Sequence, residues 1–234
     1  KSWCAAAGGR PDRSAARFER LADICNAILK TPRDARPNYV LFPELSIPKR
    51  WTRAIGEVLL RAGISLIAGE EYSHHGTKRR PLVDSAARLF LTDNRLGHQS
   101  WSVFTQLKEK SAHHERDELR QKFGIALAPS EPDLAKKFIF NHFGFRFGIL
   151  ICSELTDMRS RLRFRGKIDA LFVLSWNQDL ESFSALVDAA ALDIHCFVAL
   201  VNNRMFGDSR VRVPHKKSWS RDCVRVKGGL SDYF

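Results

Sequence analysis

The sequence predicts an α/β fold, because apolar segments with the pattern of strands alternate along the chain with amphipathic segments of helical length. The run at residues 168–174 is apolar at nearly every position, which is typical of a strand buried on both faces. With 234 residues, of which 44% are hydrophobic, the chain is long enough to bury a full core. We find no internal repeat and no low-complexity segment, and we predict a single domain over residues 1–234.

The first half of the chain predicts a helix, a βαβ unit and a hairpin. Residues 14–30 form the first helix, with Ser14 as its cap and an apolar face made of Phe18, Leu21, Ile24, Cys25, Ile28 and Leu29. The elements that follow are a strand at 38–43, a helix at 49–62 ending at Gly63, a strand at 64–72, a basic turn at 74–81, hairpin strands at 86–93 and 98–108, and a short helix at 115–123.

The second half predicts a hairpin and then an alternation of helices and strands. The elements are hairpin strands at 138–140 and 145–151, helical segments at 154–165 and 178–194, and buried strands at 168–174 and 196–201. The remaining residues alternate as strands at a basic end. This order indicates a layered α/β architecture.

The segment at residues 147–155 is the strongest indication of chemistry in the chain. Its apolar run ends on Cys152, and a carboxylate, Glu154, follows two positions later. A cysteine at the carboxyl end of a buried strand lies where α/β sheets place their chemistry, so the pattern predicts a nucleophile. The alternative is a buried cysteine that serves as a small apolar side chain.

Two further segments bring charged side chains to the ends of predicted strands. One apolar strand leads into a proline and then Glu44, which could act as a general base. The strand at 98–108 brings Lys108 and Lys110 to its far end, and Glu115 follows shortly after. Because strand side chains alternate, both lysines would lie on the same face, so the spacing leaves either of them open as the functional one.

Four motifs, in this order along the chain, resemble those of the nitrilase superfamily, the carbon–nitrogen hydrolases built on a Glu-Lys-Cys triad. They are VLFPEL with Glu44, ICSELTD with Cys152, RGKIDALFVLSWNQD with Ser175 and Trp176, and VNNRMFGDSRVRVP with Asn203, Gly207, Ser209 and Pro214. Four motifs in order are far more specific than any one of them. The resemblance implies a four-layer α-β-β-α sandwich and the hydrolysis of an amide or nitrile through a thioester.

The resemblance also implies which residues form the triad. Cys152 takes the place of the nucleophile, and Glu44 takes that of the general base. Lys108 lies seven residues before Glu115, which takes the place of a second active-site glutamate, whereas Lys110 lies five residues before it. The family spacing is seven or eight residues, so we favour Lys108 as the triad lysine.

Three further residues receive roles from the same resemblance. The backbone amide of Ser153 would form an oxyanion site together with Lys108. Trp176 and Asn177 follow a strand end and would line the substrate pocket. A buried Trp176 that packs against the following helix is the alternative.

Within the superfamily, the segments FPELSIPKRW, SAHHE, ICSELTD and NNRMFGDSR are most similar to the nitrilase-like domain fused to certain bacterial defence-associated reverse transcriptases. This narrower resemblance implies a domain of a longer antiviral polypeptide. We therefore expect further sequence beyond both ends of the 234 residues.

Composition adds expectations about partners. The net charge of +12 is concentrated in residues 159–167 and 204–227, and such clusters indicate a polyanion such as nucleic acid, or otherwise a solvated face. The five cysteines are scattered without a CxxC pair, which argues against a disulfide scaffold and a zinc site, so we predict no metal and no cofactor.

No apolar run approaches the roughly 20 residues of a membrane span, and no signal-peptide pattern is visible, so we expect a cytoplasmic protein without a membrane partner. The superfamily resemblance further implies a homo-oligomer. A second hypothesis is a catalytically silent scaffold that oligomerises and presents its basic surface to nucleic acid. A third is an acyltransferase that passes the thioester to an amine instead of water.

Overall fold

A computed structural model describes residues 13–95, 97–128 and 137–228 of the chain. These residues confirm the α/β class, since they contain two sheets and several helices. They form two compact units, the first made of residues 13–105 and 113–128, and the second of residues 106–112 and 137–228. The single-domain organisation stays a prediction. No helix in the described ranges is both long and apolar enough to cross a bilayer.

The first unit is built on a five-stranded sheet. Its strands are β1 (Tyr39–Ile47), β2 (Ser65–Thr77), β3 (Arg80–Asp93), β4 (Ser100–Leu107) and β5 (Ala126–Leu127), and its helices are α1 (Ala15–Lys30), α2 (Lys49–Arg61) and α3 (His113–Phe123), with a 3₁₀ turn at Arg33–Ala35. The strand order is β1-β2-β3-β4, and β5 pairs with β3. β1 and β2 are parallel and joined by α2, which confirms the predicted βαβ unit.

Helices α1 and α2 cover the core of this unit. Leu21 and Cys25 of α1 are buried, and the other predicted face residues except one pack partly buried against the same core. The exception is Phe18, which is 55% exposed. Its ring lies edge-on to that of Trp51 with centroids 5.5 Å apart, so it packs on α2 instead of the sheet.

The basic turn predicted at residues 74–81 is wrong, because β2 and β3 continue through it as an antiparallel ladder. Thr77 pairs with Arg80, which leaves only Lys78 and Arg79 to turn the chain. Exposed charged side chains produce no apolar alternation, although backbone hydrogen bonding extends the strands regardless of their polarity. The sequence therefore underestimates the length of this hairpin.

The second unit is built on a six-stranded sheet of order β11-β10-β9-β8-β7-β6. Its strands are β6 (Phe140–His142), β7 (Phe145–Ile151), β8 (Ala170–Ser175), β9 (Phe197–Asn202), β10 (Ser209–Arg212) and β11 (Asp222–Val226), and its helices are α4 (Met158–Leu162) and α5 (Leu180–Ile194), with 3₁₀ helices at Cys152–Thr156 and Ser218–Ser220. The central strands β7, β8 and β9 are parallel. Their carboxyl ends therefore lie at one edge of the sheet.

The parallel strands hold their register through buried apolar side chains. Ile149 and Leu150 of β7 pair with Phe172 and Val173 of β8, and all four side chains are buried. Burial on both faces explains the continuous apolar runs in the sequence. The pairing runs to the last residue of each strand, so the residues that follow β7, β8 and β9 emerge side by side.

Candidate active site

Cys152 directly follows β7 and begins a 3₁₀ helix, Cys152–Thr156. Its φ of 47° lies in the left-handed region, which side chains other than glycine seldom adopt and which clusters at functional sites. The thiol donates to the carbonyl oxygen of Trp176 at 3.8 Å, and the Ser175 hydroxyl donates to Sγ at 3.7 Å. The end of β8 therefore orients this sulfur.

Ser153 is the second residue of the same 3₁₀ helix, where backbone amides have no acceptor within the helix. Its hydroxyl donates to the carbonyl oxygen of Lys110 at 2.7 Å. The hydroxyl thus connects the turn at Cys152 to the segment after β4. The amide remains the part of Ser153 suited to an oxyanion.

Glu154 is completely buried, and its carboxylate connects two backbone segments. Oε2 accepts from the amide of Ile151 at 2.8 Å, and Oε1 accepts from the amide of Glu109 at 2.5 Å. Oε1 also receives the ammonium of Lys137 at 2.6 Å. The side chain of Lys137 is 1% exposed and donates as well to the carbonyl oxygen of Leu107 at 3.2 Å. The sequence analysis missed Lys137, since no motif or period singles it out.

The two candidate lysines have different surroundings. Lys108 follows β4 directly and is partly buried, as expected of a residue delivered by that strand. The ammonium of Lys110 donates to Oδ2 of Asp157 at 2.7 Å, and its side chain is 45% exposed. The hydrogen bond from Lys110, followed by one from Ser160, lowers the pKa of Asp157 to about 2. The choice of Lys108 stays a prediction.

Glu44 belongs to the first unit and is completely buried. It lies within β1 instead of beyond its end, at a point where the register with β2 shifts between Phe42 and Ile47. Leu45, the next residue, has a φ of 53°. The prediction of a strand that ends before Glu44 is therefore wrong, because the strand resumes after a local irregularity.

The irregularity in β1 brings its backbone at Pro43 very close to Gly69 of β2. A Cβ at Gly69 would lie 2.2 Å from the carbonyl oxygen of Pro43, so only glycine fits there. The hydroxyl of Ser46 donates to the same oxygen at 2.7 Å, and Arg17 donates to the carbonyl oxygen of Ser46 at 2.6 Å. These contacts determine the position of the Glu44 backbone.

Glu115 also belongs to the first unit and lies in the first turn of α3. It is completely buried, although α3 is otherwise mostly polar. Its Oε1 accepts a hydrogen bond from the hydroxyl of Tyr72 at 2.6 Å. A completely buried carboxylate is unusual on a surface helix.

Trp176 and Asn177 are the first two residues of the loop between β8 and α5, residues 176–179. The side chain of Asn177 bonds locally with Asp179, through Nδ2 to the carbonyl oxygen at 2.7 Å and through Oδ1 from the amide at 3.3 Å. Its backbone amide and carbonyl are both held at 2.9 Å by the side chain of Asn202. Asn177 therefore shapes the loop, and its contact with a substrate stays a prediction.

Asn202 is a site residue that the sequence analysis missed in favour of its neighbour Asn203. It is 4% exposed, ends β9, and donates through Nδ2 to the carbonyl oxygen of Gly207 at 2.8 Å. Its amide donates to the hydroxyl of Ser209 at 3.0 Å. Two motif residues, Gly207 and Ser209, thus act as partners of Asn202. Its place at the end of an apolar strand was the available signal.

Several arginines of the two basic clusters form ion pairs within the second unit. In the carboxyl-terminal cluster, four arginines pair with three aspartates of the same unit: Arg210 and Arg225 with Asp208, Arg212 with Asp188 and Asp222, and Arg221 with Asp188. In the other cluster, Arg161 is buried against the carbonyl oxygen of Leu155, and Arg163 pairs with Glu109. Other basic side chains of the two clusters are exposed, namely Arg159, Arg165, Lys167, Lys216 and Lys217.

The other described cysteines differ from Cys152 in their surroundings. Burial raises the pKa of Cys196 to about 12 and also raises that of Cys25. Cys223 is exposed on β11. Within the described ranges, no group of three or more His, Cys, Asp or Glu side chains is placed to hold a metal ion.

No family model and no curated protein matches this chain. Solved structures do match it. A CN-hydrolase superfamily protein from Xanthomonas campestris, with an arsenic adduct in its active site, matches with a TM-score of 0.61 and 14% identity over 93% of this chain and 82% of that one. A cysteine-to-serine variant of the amidase from Nesterenkonia sp. AN1 matches with a TM-score of 0.62 and 15% identity over 93% and 87%.

Another structure of the Nesterenkonia amidase carries acrylamide added to its active-site cysteine, and it matches with a TM-score of 0.57 and 15% identity over 85% of this chain and 80% of that one. At such identities the likeness concerns the fold alone. This chain has the fold of the nitrilase, or carbon–nitrogen hydrolase, superfamily, as its sequence motifs implied.

Proposed function

We propose that this protein is a cysteine-dependent carbon–nitrogen hydrolase that uses Glu44, Lys108 and Cys152. The observation that carries the proposal is the left-handed Cys152 at the carboxyl edge of a parallel sheet, with its sulfur in contact with the end of β8. Strained backbone clusters at functional sites, and α/β sheets bind their ligands at the carboxyl ends of strands. The likeness to amidase structures supports the same reaction class.

In the proposed reaction, the Cys152 sulfur attacks the carbonyl carbon of an amide while Glu44 takes the thiol proton. Lys108 and the Ser153 amide stabilise the negative charge that develops on oxygen. The C–N bond then breaks, and Glu44 returns its proton to the departing amine. Water, deprotonated by Glu44, hydrolyses the resulting thioester and regenerates the thiol.

Two features of the surroundings support these roles. Lys110 is paired with Asp157, which favours Lys108 as the triad lysine. Glu115 is buried and oriented by Tyr72, as suits a carboxylate that positions Lys108 or the attacking water. Trp176, whose carbonyl oxygen accepts from the nucleophile, would line the acyl pocket.

The proposed substrate is a small amide. The Nesterenkonia amidase, one of the matching structures, is described in complex with butyramide and with acrylamide. We further propose that the domain belongs to a defence-associated reverse-transcriptase polypeptide, forms a homo-oligomer and is cytoplasmic, on the basis of sequence resemblance alone.

Labelling of the cysteines tests the proposal. The chain is exposed briefly to near-stoichiometric iodoacetamide at neutral pH, and the modified peptides are identified by mass spectrometry. We expect selective labelling of Cys152, because an activated thiolate reacts far faster than thiols whose pKa burial has raised, such as Cys25 and Cys196. Exposed Cys223 is the internal reference for an ordinary accessible thiol.

Glu44→Gln and Lys108→Ala should each weaken the labelling of Cys152 and leave that of Cys223 unchanged. Equal labelling of Cys152 and Cys223, unaffected by either variant, contradicts the proposal. A chain that labels selectively is then offered acetamide, propionamide and butyramide, and ammonia release is measured against Cys152→Ala.

A further inference from the structure

We infer that Lys137 and Glu154, which form a buried ion pair, are positioning residues that fix the place of Lys108 relative to Cys152. The inference rests on the proposed function, since it assigns the pair a role in the same reaction. Neither residue touches the reacting atoms in this view. Both act through the backbone on either side of the two catalytic residues.

The carboxylate of Glu154 binds one peptide next to each catalytic residue. Oε2 accepts from the amide of Ile151, the residue before Cys152, at 2.8 Å. Oε1 accepts from the amide of Glu109, the residue after Lys108, at 2.5 Å. A single rigid group of three atoms therefore joins the nucleophile's turn to the lysine's segment.

Lys137 binds the lysine's segment from its other side. Its ammonium donates to the carbonyl oxygen of Leu107, the residue before Lys108, at 3.2 Å, and to Oε1 of Glu154 at 2.6 Å. The two neighbours of Lys108 along the chain are thus both held by one ion pair. With side chains 1% and 0% exposed, neither partner can exchange its contacts for water.

Burial of this pair is difficult to explain by stability alone. Taking both charges out of water costs several kcal/mol per ion, and apolar replacements of such pairs are often neutral or stabilising. What the charged pair provides is geometry, since a carboxylate with one donor on Oε2 and two on Oε1 leaves little freedom of position. Oxyanion stabilisation needs such placement, because a displacement of about 1 Å can cost about a hundredfold in rate.

The reaction rates of Cys152 with two electrophiles distinguish the effect of a correctly placed Lys108 from the reactivity of the thiol itself. Acrylamide has an amide oxygen that gains negative charge as sulfur adds to its β-carbon, so Lys108 should accelerate its addition to Cys152; the α-carbon takes a proton to complete the adduct. Methyl methanethiosulfonate transfers a methylthio group to the thiolate and releases methanesulfinate, without an amide oxygen. The ratio of the two rates at Cys152, measured from pH 6 to 9, reports the contribution of the oxyanion site.

The main variant is the uncharged double substitution Lys137→Met/Glu154→Gln. A Gln side chain has only one acceptor oxygen, so one of the two amides loses its partner, while no buried charge is left alone. We expect the acrylamide-to-methanethiosulfonate ratio to fall about tenfold or more, while the methanethiosulfonate rate stays close to that of the unmodified chain and the melting temperature falls less than in Lys137→Met. Each single variant should lower the ratio as well.

A background without the lysine tests whether the pair acts through Lys108. In Lys108→Ala, the double substitution should lower the ratio no further, because residues that act as one unit are not additive. The matched control is Arg163→Met, which removes a 48% exposed arginine that also pairs with Glu109, and it should leave the ratio unchanged.

Three outcomes overturn the inference: a ratio unchanged in the double variant, a fall of both rates together with the melting temperature, or an equal fall in the Lys108→Ala background. If Cys152 of the unmodified chain shows no preference for acrylamide relative to Cys223, the proposed function itself fails. The two failures are therefore distinguishable in one set of measurements.

Discussion

Two irregular backbone segments, at Glu44 in the first unit and at Cys152 in the second, are each held in a fixed conformation, but by different contacts. Each interrupts a strand or follows one, and each contains a left-handed residue, Leu45 with a φ of 53° and Cys152 with a φ of 47°. At Glu44 the turn depends on the missing Cβ of Gly69 and on the hydroxyl of Ser46. At Cys152 it depends on a buried ion pair.

The difference follows from how many chain segments each turn must hold. At Glu44 the close approach of Gly69, the Ser46 hydroxyl and an N–H of Arg17 fix a single strand irregularity. A carboxylate accepts several N–H donors at once, so Glu154 can hold the segments of Cys152 and Lys108 together. We therefore expect the free energy of unfolding to respond most to a lost charge at the Cys152 turn. At Glu44 we expect it to respond most to a steric change.

The largest effect is expected for Lys137→Met, which leaves the carboxylate of Glu154 buried without its cation. We expect the free energy of unfolding to fall by about 3–5 kcal/mol, measured by urea denaturation. Adding Glu154→Gln should recover most of this loss because the uncompensated charge disappears. A double variant no more stable than the single one contradicts the view that charge dominates this turn.

The next effect is expected for Gly69→Ala, because the new methyl group would meet the backbone of Pro43 and the backbone cannot give way cheaply. We expect a loss of about 1–3 kcal/mol in the free energy of unfolding, and weaker labelling of Cys152 by iodoacetamide as Glu44 is displaced. Gly63→Ala is the control, since its Cβ meets nothing within 4 Å and only its φ of 76° is unfavourable. Equal labelling in both variants contradicts the role of Gly69.

A smaller effect is expected for Ser46→Ala, which removes the hydrogen bond to the carbonyl oxygen of Pro43. We expect the free energy of unfolding to fall by about 1 kcal/mol in denaturant titrations. The corresponding change at the other turn, Thr156→Ala, removes a 2.7 Å bond to the carbonyl oxygen of Ser153 at an exposed residue. Water can replace that bond, so its loss should be hardly measurable, and the reverse order would contradict the comparison.

The smallest effect is expected for Lys110→Met, which removes the partner of Asp157. The pKa of Asp157 should rise from about 2 toward its ordinary value in a carboxyl NMR titration, although the bonds from Ser160 keep it somewhat low. Because the folded-state pKa is depressed, this contact stabilises the fold above about pH 4, and its contribution is lost as the pH falls toward 2. The variant should lose less stability over that window, and an unchanged pKa would sink this account.

Features of this fold that a few neighbouring residues encode could be predicted from the sequence, whereas features that depend on distant contacts could not. The helices over residues 15–30 and 180–194 lie within two residues of the predicted segments, because a helix repeats its apolar face every three or four positions. The hairpin of β2 and β3 was underestimated, because its outer part has no apolar face to reveal it. Glu44 was placed beyond its strand because a bulge leaves no mark in composition.

Some residues of the candidate site could likewise be predicted from the sequence, and others could not. The sequence could place Cys152 and Lys108 after strands, because each strand has a strong apolar or β-branched pattern, and their catalytic roles stay predictions. Lys137 and Asn202 could not, because their importance lies in contacts with residues 107, 154, 177 and 207. The ion pair between Lys110 and Asp157 could not be predicted either, because the spacing of the two lysines does not distinguish between them.

Apolar periodicity in the sequence predicts the α/β class, the order of most strands and helices, and the places of Cys152 and Lys108 directly after strands. These features follow from apolar periodicity and from neighbours along the chain, which act over a few residues. The groups that hold the site in place could be seen only in the folded chain: Gly69 against Pro43, Asn202 against the loop after β8, and the Lys137–Glu154 pair beside the segments of Lys108 and Cys152. Such contacts join residues distant in sequence, and the free energy of a buried polar contact depends on a partner that no local pattern can specify.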